Sequence, residues 1–408
     1  MVASPRGGPL EGLKILDFTR FQNGPACTAL FADYGADVVK VEVVETGDNH
    51  PQPQDFSPYF EFLNRSKKSI ELNLKSPQVK SVLERLVKWA DIVVENFTPH
   101  VLDGLGFGYE WMSLVNPRII YAQNSGFGPI GEWSQRPSYD FMAQAMAGIM
   151  VEQAGGPSHE PRIVQWGFSD QVGAIYFAAD ILAALHARDR TGIGQKIETS
   201  QLGATNHFQG TSNTATWYFG RQADGGYPVG YHIAQRSMTY LKAKDGKWFT
   251  VAIAMDHMWK GFCEAVGRPD FLSDEKWSTG KARWKNREEV RATLAEISSK
   301  RSREEWLQEF ISRRVPCAPV NNYVELKDDR HFRENGYIVE VDHPYHGKMT
   351  EPGLPARFSS TPAPAPFRAP FLGEHTDNVL KSLGFSASEV EKLRREGVTG
   401  MGPKISKL

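Results

Sequence analysis

Asp170 lies in the segment QWGFSDQVGAIYFAAD (165–180), directly before a predicted apolar helix of about residues 172–188. Two interpretations of its carboxylate are open. As an N-cap it would accept hydrogen bonds from the free amides of the first helical turn. As a nucleophile it would be oriented by the same helix end and would attack an electrophilic carbon. The 11 histidines are scattered without metal-ligand spacing, so we expect no metal site.

Basic residues surround one predicted strand in NRSKKSIELNLK (64–75). A cluster of cations can hold a phosphate monoester, and a solvated basic edge has the same pattern. The next strand ends in VENF (94–97), where Asn96 could bond a ligand amide and Phe97 could stack on a base, although Asn also forms turns at strand ends.

The first strand-to-helix connection, TRFQNGPA (19–26), lacks the G-x-G-x-x-G pattern of dinucleotide-binding folds. Its absence argues against a nicotinamide-dependent oxidoreductase. Gly24 and Pro25 at the helix start could still present backbone donors to a phosphate, or could form a plain turn.

The order of elements predicts an α/β protein with a doubly wound parallel sheet. Over the first 200 residues, β-branched runs alternate with helical patterns, as in strand-helix-strand units. Beyond the Gly-rich segment 224–230 the pattern changes, and Asp245-Gly246 predicts a hairpin that begins a smaller α+β domain. The Pro-rich segment 361–370 predicts an extended strap that lies over a surface.

Composition limits the partners. With 47 basic and 48 acidic side chains, the net charge of −1 provides no general field for nucleic acid or an anionic membrane. The three cysteines suggest neither a disulfide framework nor a zinc site. We find no membrane-spanning stretch or secretory signal, and expect a cytoplasmic protein, or a peroxisomal one if the C-terminal Ser406-Lys407-Leu408 acts as a eukaryotic import signal.

Nine segments in this order resemble the class III coenzyme A transferases, the CaiB/BaiF family of formyl-CoA transferase and carnitine CoA-transferase. The resemblance covers nearly the whole chain. It rests on GLKILDFTRFQNGPACTALFADYGADVVKVE, NRSKKSIELNLKSP, VENFTPHVLDGLGFGYE, NPRIIYAQNSGFG, SYDFMAQAMAGIM, TGIGQKIETS, DGKWFTVAIA, VPCAPVN and LGEHTDNVL.

The resemblance implies an interlocked, ring-like homodimer, with a heteromer as the alternative. Residues 1–215 and 325–408 would form a Rossmann-like large domain that binds coenzyme A, and 225–320 the small domain. Residues 216–224 and 321–335 would be linkers that thread the partner. Coenzyme A would enter as acyl-CoA substrate, together with a carboxylic acid, and no cofactor would be held permanently.

The resemblance also implies roles for individual residues. Asp170 matches the family's catalytic aspartate, and Gly225 and Gly226 match a candidate flap, although an ordinary domain linker would have the same glycines. The positions that match coenzyme A contacts are Gln22, Asn23, Leu72, Asn73, Lys75, Asn96, Phe97, Thr98, Leu105, Arg136 and Tyr139.

Three positions depart from the family pattern. Val43 and Gly104 stand where relatives have basic residues, and Arg136 is offset by one position from a lysine. Other cations must therefore neutralise the phosphates, and we nominate Arg65 and Lys68.

The implied reaction moves coenzyme A from an acyl-CoA donor, with succinyl-CoA as a candidate, to an acceptor acid through aspartyl anhydrides and an aspartyl-CoA thioester. One alternative is an acyl-CoA racemase of the same superfamily. Racemases carry a Gly-His-Asp string where this chain has Ser138, Tyr139 and Asp140. The other alternative is a non-catalytic subunit that binds coenzyme A within a heteromer. Aromatic residues near the expected pocket are typical either of a core or of a site for a bulky acyl group.

Overall fold

The computed structural model describes residues 7–48, 57–220, 238–253 and 255–402. The described chain forms two compact units. The first combines residues from Met1–Gln153, Pro161–Gly210 and Arg333–Leu408, and the second combines Ala154–Glu160 and Thr211–Phe332. The first unit is thus built from both ends of the chain. The candidate flap Gly225-Gly226 and the terminal Ser406–Leu408 lie outside the described residues.

A six-stranded parallel sheet forms the centre of the first unit, which confirms the predicted α/β class. Its strands follow the spatial order β3-β2-β1-β4-β5-β6. Successive strands are added on one side of β1 up to β3 and on its other side from β4 onward. Doubly wound sheets bind their ligands at such a reversal of strand order. The strands are β1 (Lys14–Asp17), β2 (Asp37–Glu42), β3 (Lys68–Glu71), β4 (Ile92–Glu95), β5 (Ile120–Ser125) and β6 (Gln195–Ser200).

Alternate residues of the central strands enter two different hydrophobic cores. Leu16 and Val93 belong to one core, whereas their neighbours Ile15 and Ile92 belong to the other. Because side chains alternate across a strand, both faces of the sheet are covered. The helices preceding residue 210 are α1 (Asn23–Asp33), α2 (Pro58–Asn64), α3 (Val79–Trp89), α4 (Val101–Gly104), α5 (Tyr109–Val115), α6 (Asp140–Met146), α7 (Ile149–Ala154), α8 (Phe168–Thr191) and α9 (Gln201–Phe208).

The long helix α8 is a core helix of the first unit. Its length and apolar composition would suit a membrane span, but half of that stretch is buried. Ala174, Phe177 and Ile181 pack in the core that covers one face of the sheet. The helix begins at Phe168, four residues before the predicted start. Asp170 therefore lies inside the first turn, not before it.

The second unit contains a three-stranded antiparallel sheet covered by helices. Asp245 and Gly246 lie in the turn between its first two strands, as the sequence predicts. Its core contains the stacked rings of Trp259, Phe271 and Trp277. The elements are α10 (Gly210–Phe219), β7 (Met238–Lys242), β8 (Trp248–Ala252), α11 (Asp256–Ala265), a 3-10 helix (Pro269–Leu272), α12 (Gly280–Lys285), α13 (Arg287–Ser298), α14 (Arg303–Ser312), β9 (Cys317–Val320), α15 (Tyr323–Lys327) and α16 (Arg330–Glu334).

The C-terminal part of the chain returns to the first unit and covers the edge strand β3. His375 N donates to Ser69 O at 2.9 Å, and Asn73 N donates to Val398 O at 2.9 Å. The segment 362–370 has no regular secondary structure, in agreement with the predicted strap. The elements are β10 (Ile338–His343), β11 (Gly347–Pro352), α17 (Thr376–Ser382) and α18 (Ala387–Arg395).

Arg65, nominated above for phosphate binding, is buried in an ion-pair network instead. Its guanidinium donates to Asp33 at 2.6 Å and to Glu351 at 3.1 Å, and the residue is only 4% exposed. The network joins α1 to β11, which is distant in sequence. Lys68, the other nominated cation, pairs with Asp37 at 2.7 Å where both side chains are partly exposed.

We predict that Arg65→Gln lowers the free energy of unfolding by about 3–5 kcal/mol, because Asp33 and Glu351 would remain buried without their cation. The matched variant Lys68→Gln loses a partly exposed pair and should change the free energy of unfolding by about 1 kcal/mol or less. Urea denaturation followed by circular dichroism measures both. Equal losses in the two variants would contradict the buried role of Arg65.

Candidate active site

Gly167 is the N-cap residue of α8, and its backbone conformation disfavours every residue except glycine. Its φ of 76° lies in the left-handed region that favours glycine. A Cβ atom at this position would meet the Gln22 amide nitrogen at 2.0 Å. The sharp turn places Phe168, Ser169 and Asp170 in the first turn of the helix, next to the loop after β1.

Asp140, at the start of α6, provides the carboxylate that caps α8. Its two oxygens accept hydrogen bonds from Gly167 N at 3.0 Å, Ser169 N at 2.7 Å and Asp170 N at 3.2 Å. The N-cap interpretation of Asp170 is therefore wrong. Since Asp140 satisfies the free amides, the Asp170 side chain is left available for another role.

The Asp170 carboxylate is partly buried and has one amide partner. The Gln201 side-chain amide donates to Oδ1 of Asp170. Burial and the nearby Asp140 charge raise the pKa of Asp170 to about 7, against a smaller lowering by Gln201. Close to neutral pH the group therefore exists in both protonation states. A carboxylate is nucleophilic in its ionised form, and a raised pKa makes it more basic than an ordinary aspartate.

Asp170 lines a cavity of about 260 Å³ at the carboxyl ends of β1, β4 and β5. Doubly wound sheets bind ligands at this edge. Gln22 and Asn23 line the cavity and also hold the α8 turn, since the Asn23 amide donates to Asp170 O at 3.0 Å. The cavity is further lined by Arg20, Phe21, Asn96–Pro99, Asn124–Gly126, Ser134, Arg136–Asp140 and Gln201.

A second cavity of about 300 Å³ lies where β2 and β3 end, and it shares Arg20 and Phe97 with the first. Its lining is mainly apolar. Among the nominated coenzyme A residues, it contains Leu72, Asn73, Lys75, Phe97 and Leu105. The first cavity contains Gln22, Asn23, Asn96, Phe97, Thr98, Arg136 and Tyr139. Arg65 and Lys68 line neither cavity.

The loop after β4 is fixed by hydrogen bonds. The Asn96 side chain accepts from Arg20 N at 2.8 Å and donates to Arg20 O at 2.8 Å. One donor and the acceptor oxygen of its amide thus bind the loop after β1, while the residue also lines the first cavity. Glu95 accepts from Phe97 N at 2.8 Å, and burial raises the pKa of Glu95 to about 7. These contacts fix the position of the Phe97 backbone.

Sequence reasoning missed three residues of this site. Asp140 and Gln201 contact Asp170 from distant segments, and Arg20 lies between the two cavities. Tyr59 belongs to the same neighbourhood, because burial and the charges of Asp170 and Asp48 raise the pKa of its hydroxyl. None of these residues has a spacing signal. Asp140 matches the aspartate of the racemase Gly-His-Asp string, but that match does not indicate a capping role.

The comparisons with known proteins agree with this geometry. Residues 10–376 match the model of CoA-transferase family III. The chain belongs to CoA-transferase family III. It is 32% identical to formyl-CoA:oxalate CoA-transferase of Escherichia coli O157:H7, covering 95% of this chain and 98% of that protein. An equally identical and equally covered relative is formyl-CoA:oxalate CoA-transferase of Shigella sonnei.

Two solved structures have a similar fold. A CaiB/BaiF family protein from Brucella suis superposes with a TM-score of 0.80 at 29% identity, covering 92% of this chain and all of that one. A hypothetical protein from Mycobacterium tuberculosis gives a TM-score of 0.77 at 27% identity, covering 91% and 98%. The protein is therefore an enzyme of the class III CoA-transferases, whose substrates are CoA thioesters and carboxylates.

We predict that Asp170→Asn stabilises the family III enzyme more at alkaline than at acidic pH. The pKa of Asp170 is raised from 3.8 to about 7 on folding, so the folded state holds an extra proton between these values. The contribution of the protonated Asp170 to the free energy of unfolding is complete below about pH 4 and is lost as the pH rises through about 7. From about pH 4 to about pH 8, urea denaturation should show the advantage of Asn growing by up to roughly 4 kcal/mol.

Asp140→Asn serves as the comparison, because it removes the neighbouring charge while retaining one acceptor oxygen for the α8 amides. It should lower the pKa of Asp170 and reduce the pH-dependent part of the stability. If wild type and Asp170→Asn give parallel curves at every pH, then the carboxylate of Asp170 does not have a raised pKa.

Proposed function

We propose that Asp170 is the nucleophile of a CoA transfer from an acyl-CoA donor to a carboxylic acid. The observation that carries the proposal is that Asp140 accepts the helix amides, so that the Asp170 carboxylate can face the first cavity. Gln201 engages one oxygen, and the other remains for attack. The partly buried setting excludes bulk water, which would hydrolyse an anhydride.

In the first half-reaction, the free oxygen of Asp170 attacks the thioester carbonyl. The carbon–sulfur bond breaks and CoA leaves as the thiolate, giving an aspartyl-acyl anhydride. The thiolate then attacks the Cγ carbon of Asp170, the anhydride bond breaks and the donor acid leaves as a carboxylate. The enzyme is now an aspartyl-CoA thioester.

In the second half-reaction, the acceptor carboxylate attacks the Cγ carbon and displaces the thiolate, giving a second anhydride. The thiolate attacks the acceptor carbonyl, which releases the new acyl-CoA and restores the Asp170 carboxylate. Each step exchanges one oxyanion or thiolate for another, so no proton has to be moved. A carboxylate suits this exchange because the anhydride can break in either direction.

The racemase alternative requires groups that move an α-proton. Ser138 and Tyr139 occupy the positions of the racemase Gly-His pair, and the described residues that line the cavity include no histidine. This composition favours transfer over racemisation. A catalytically silent subunit would have no need of an Asp170 freed from capping and given a raised pKa.

The substrate acid is proposed to be larger than formate or oxalate, the acids named for the Escherichia coli relatives. A row of aromatic rings extends from the cavity. The ring centroids of Phe21 and Tyr139 are 6.2 Å apart, and those of Tyr139 and Phe141 are 6.5 Å apart. Phe141 continues it to Trp166 at 6.2 Å. These exposed rings could bind an aromatic or branched acyl group. Succinyl-CoA remains the candidate donor from the family resemblance.

We predict that Asp170→Ala and Asp170→Asn lower CoA transfer by about 10³-fold or more, since no other carboxylate can replace the covalent intermediate. Wild type should be acylated on Asp170 by a panel of acyl-CoA donors that includes succinyl-CoA and formyl-CoA. Quenching with hydroxylamine or borohydride and peptide mass spectrometry locates the modification. Acceptors should include oxalate and aryl-substituted acids, which test the proposed substrate size.

Gln201→Ala is the graded control. It keeps the nucleophile but removes the amide that lowers the pKa of Asp170, so the acidic limb of the rate profile should move to higher pH. Full activity of Asp170→Ala would exclude the proposed nucleophile. Exchange of an α-proton with solvent, without a change of CoA partner, would favour the racemase.

We also propose that the enzyme is a homodimer. Large apolar side chains of the first unit are exposed, including Ile175 and Leu182 on α8 and Phe208 on α9. Exposed apolar residues of this size are typical of a surface that another chain covers. Light scattering after gel filtration should give twice the 45.7 kDa of one chain. A mass of one chain would contradict the dimer.

A further inference from the structure

The cations nominated for phosphate binding are engaged elsewhere, so the site needs another positive group. Arg65 is buried between Asp33 and Glu351, and Lys68 pairs with Asp37 outside both cavities. Among the described residues, the cations that line the two cavities are Arg20, Lys75 and Arg136. Arg136 stacks over the Trp133 ring at 4.0 Å.

Arg20 is the cation that both cavities share. The first cavity holds Asp170, and the second is the mainly apolar pocket at the ends of β2 and β3. In coenzyme A the diphosphate lies between the adenosine and the pantetheine arm that carries the thiol. A molecule that extends from Asp170 into the second cavity passes the shared residues Arg20 and Phe97, and its diphosphate is the part that a cation at this place would bind.

The guanidinium of Arg20 has unused hydrogen-bonding capacity. Its closest ion-pair contact is from Nε to Asp48 Oδ1 at 3.7 Å, beyond hydrogen-bonding distance. Within the described structure, this buried Nε atom has no hydrogen-bond partner. The side chain as a whole is 38% exposed, so its remaining donors are accessible. A planar guanidinium with free donors matches the oxygens of a phosphate.

The surrounding residues hold Arg20 in place. Asp48 is bound by Lys40 at 3.1 Å, and Phe21 N donates to both of its oxygens at 3.1 Å. Lys40, which is also surrounded by Asp17 and Glu42, thus holds Asp48 beside Arg20. Phe21 has a φ of 63°, a conformation that is unusual for a non-glycine residue and typical of functional loops. Asn96 fixes the Arg20 backbone from the other side.

We propose that Arg20 binds the diphosphate of coenzyme A and that Asp48 and Lys40 position it for this contact. The proposal rests on the proposed function, because it requires a CoA thioester at Asp170. It assigns to this chain a cation that replaces the basic residues missing at Val43 and Gly104.

The test measures the affinity of wild type and Arg20→Gln for three ligands by isothermal titration calorimetry. Coenzyme A and 3′-dephospho-coenzyme A both contain the diphosphate, whereas pantetheine contains no phosphate. Arg20→Gln should weaken the first two by the same factor, about 10- to 100-fold, and should change pantetheine binding by less than about twofold. Arg20→Lys should recover part of the lost affinity, because lysine keeps the positive charge but not the bidentate hydrogen-bonding geometry of the guanidinium.

Arg268→Gln is the matched control. Arg268 is a partly exposed arginine that pairs with Asp270 and lies over the Phe271 ring, but it lines neither cavity. It should leave all three affinities unchanged. Unchanged coenzyme A affinity in Arg20→Gln would overturn the proposal. An equal loss of pantetheine binding would also overturn it, because the loop and not a phosphate contact would then be affected.

Labelling of Asp170 separates this proposal from the proposed function. If Arg20→Gln binds coenzyme A as wild type does and Asp170 is still acylated by saturating acyl-CoA, Arg20 is excluded as the diphosphate ligand. The proposal that Asp170 is the nucleophile is then unaffected. If wild type binds neither coenzyme A nor its dephospho form and Asp170 is not acylated, both proposals are wrong.

Discussion

The capping of α8 by Asp140 is the interaction on which the site depends. A helix that begins at the edge of a sheet has free amides, and a carboxylate in the first turn would ordinarily satisfy them. Here Asp140 reaches across from α6 and accepts three of these hydrogen bonds. Asp170 can therefore face a cavity, and the negative charge of Asp140 helps to keep its pKa high. One carboxylate provides the structural contact that frees the other for chemistry.

The loop after β1 is held by buried charges and hydrogen bonds. Lys67 pairs with Asp17 at 3.1 Å beneath the loop, and Lys40 donates to Thr19 O at 2.6 Å. Buried ion pairs add little net stability, but removing one partner is strongly unfavourable. These contacts therefore fix one loop conformation. The loop can present Arg20, Gln22 and Asn23 to a ligand without reorganising on binding.

The basic segment 64–75 shows why local sequence could not identify the phosphate ligands. Its residues share charge and proximity in sequence, yet each has a different environment. Arg65 and Lys67 are buried with carboxylates from α1 and β1, and Lys68 pairs with Asp37 at the start of β2. Lys75 lines the second cavity, where β2 and β3 end. The partners come from segments far away in the chain, so composition could indicate only a cluster of cations.

The sequence by itself determined the alternation of strands and helices and the parallel sheet, and it marked Asp170 as a candidate for chemistry. Hydrophobic periodicity and turn residues are local, and they specify elements whatever their neighbours are. Only the tertiary structure decided that Asp140 caps α8, that Gln201 contacts Asp170 and that Arg20 lies between the cavities. These facts depend on contacts between residues 29 to 147 positions apart, which chain folding brings together and no local pattern encodes.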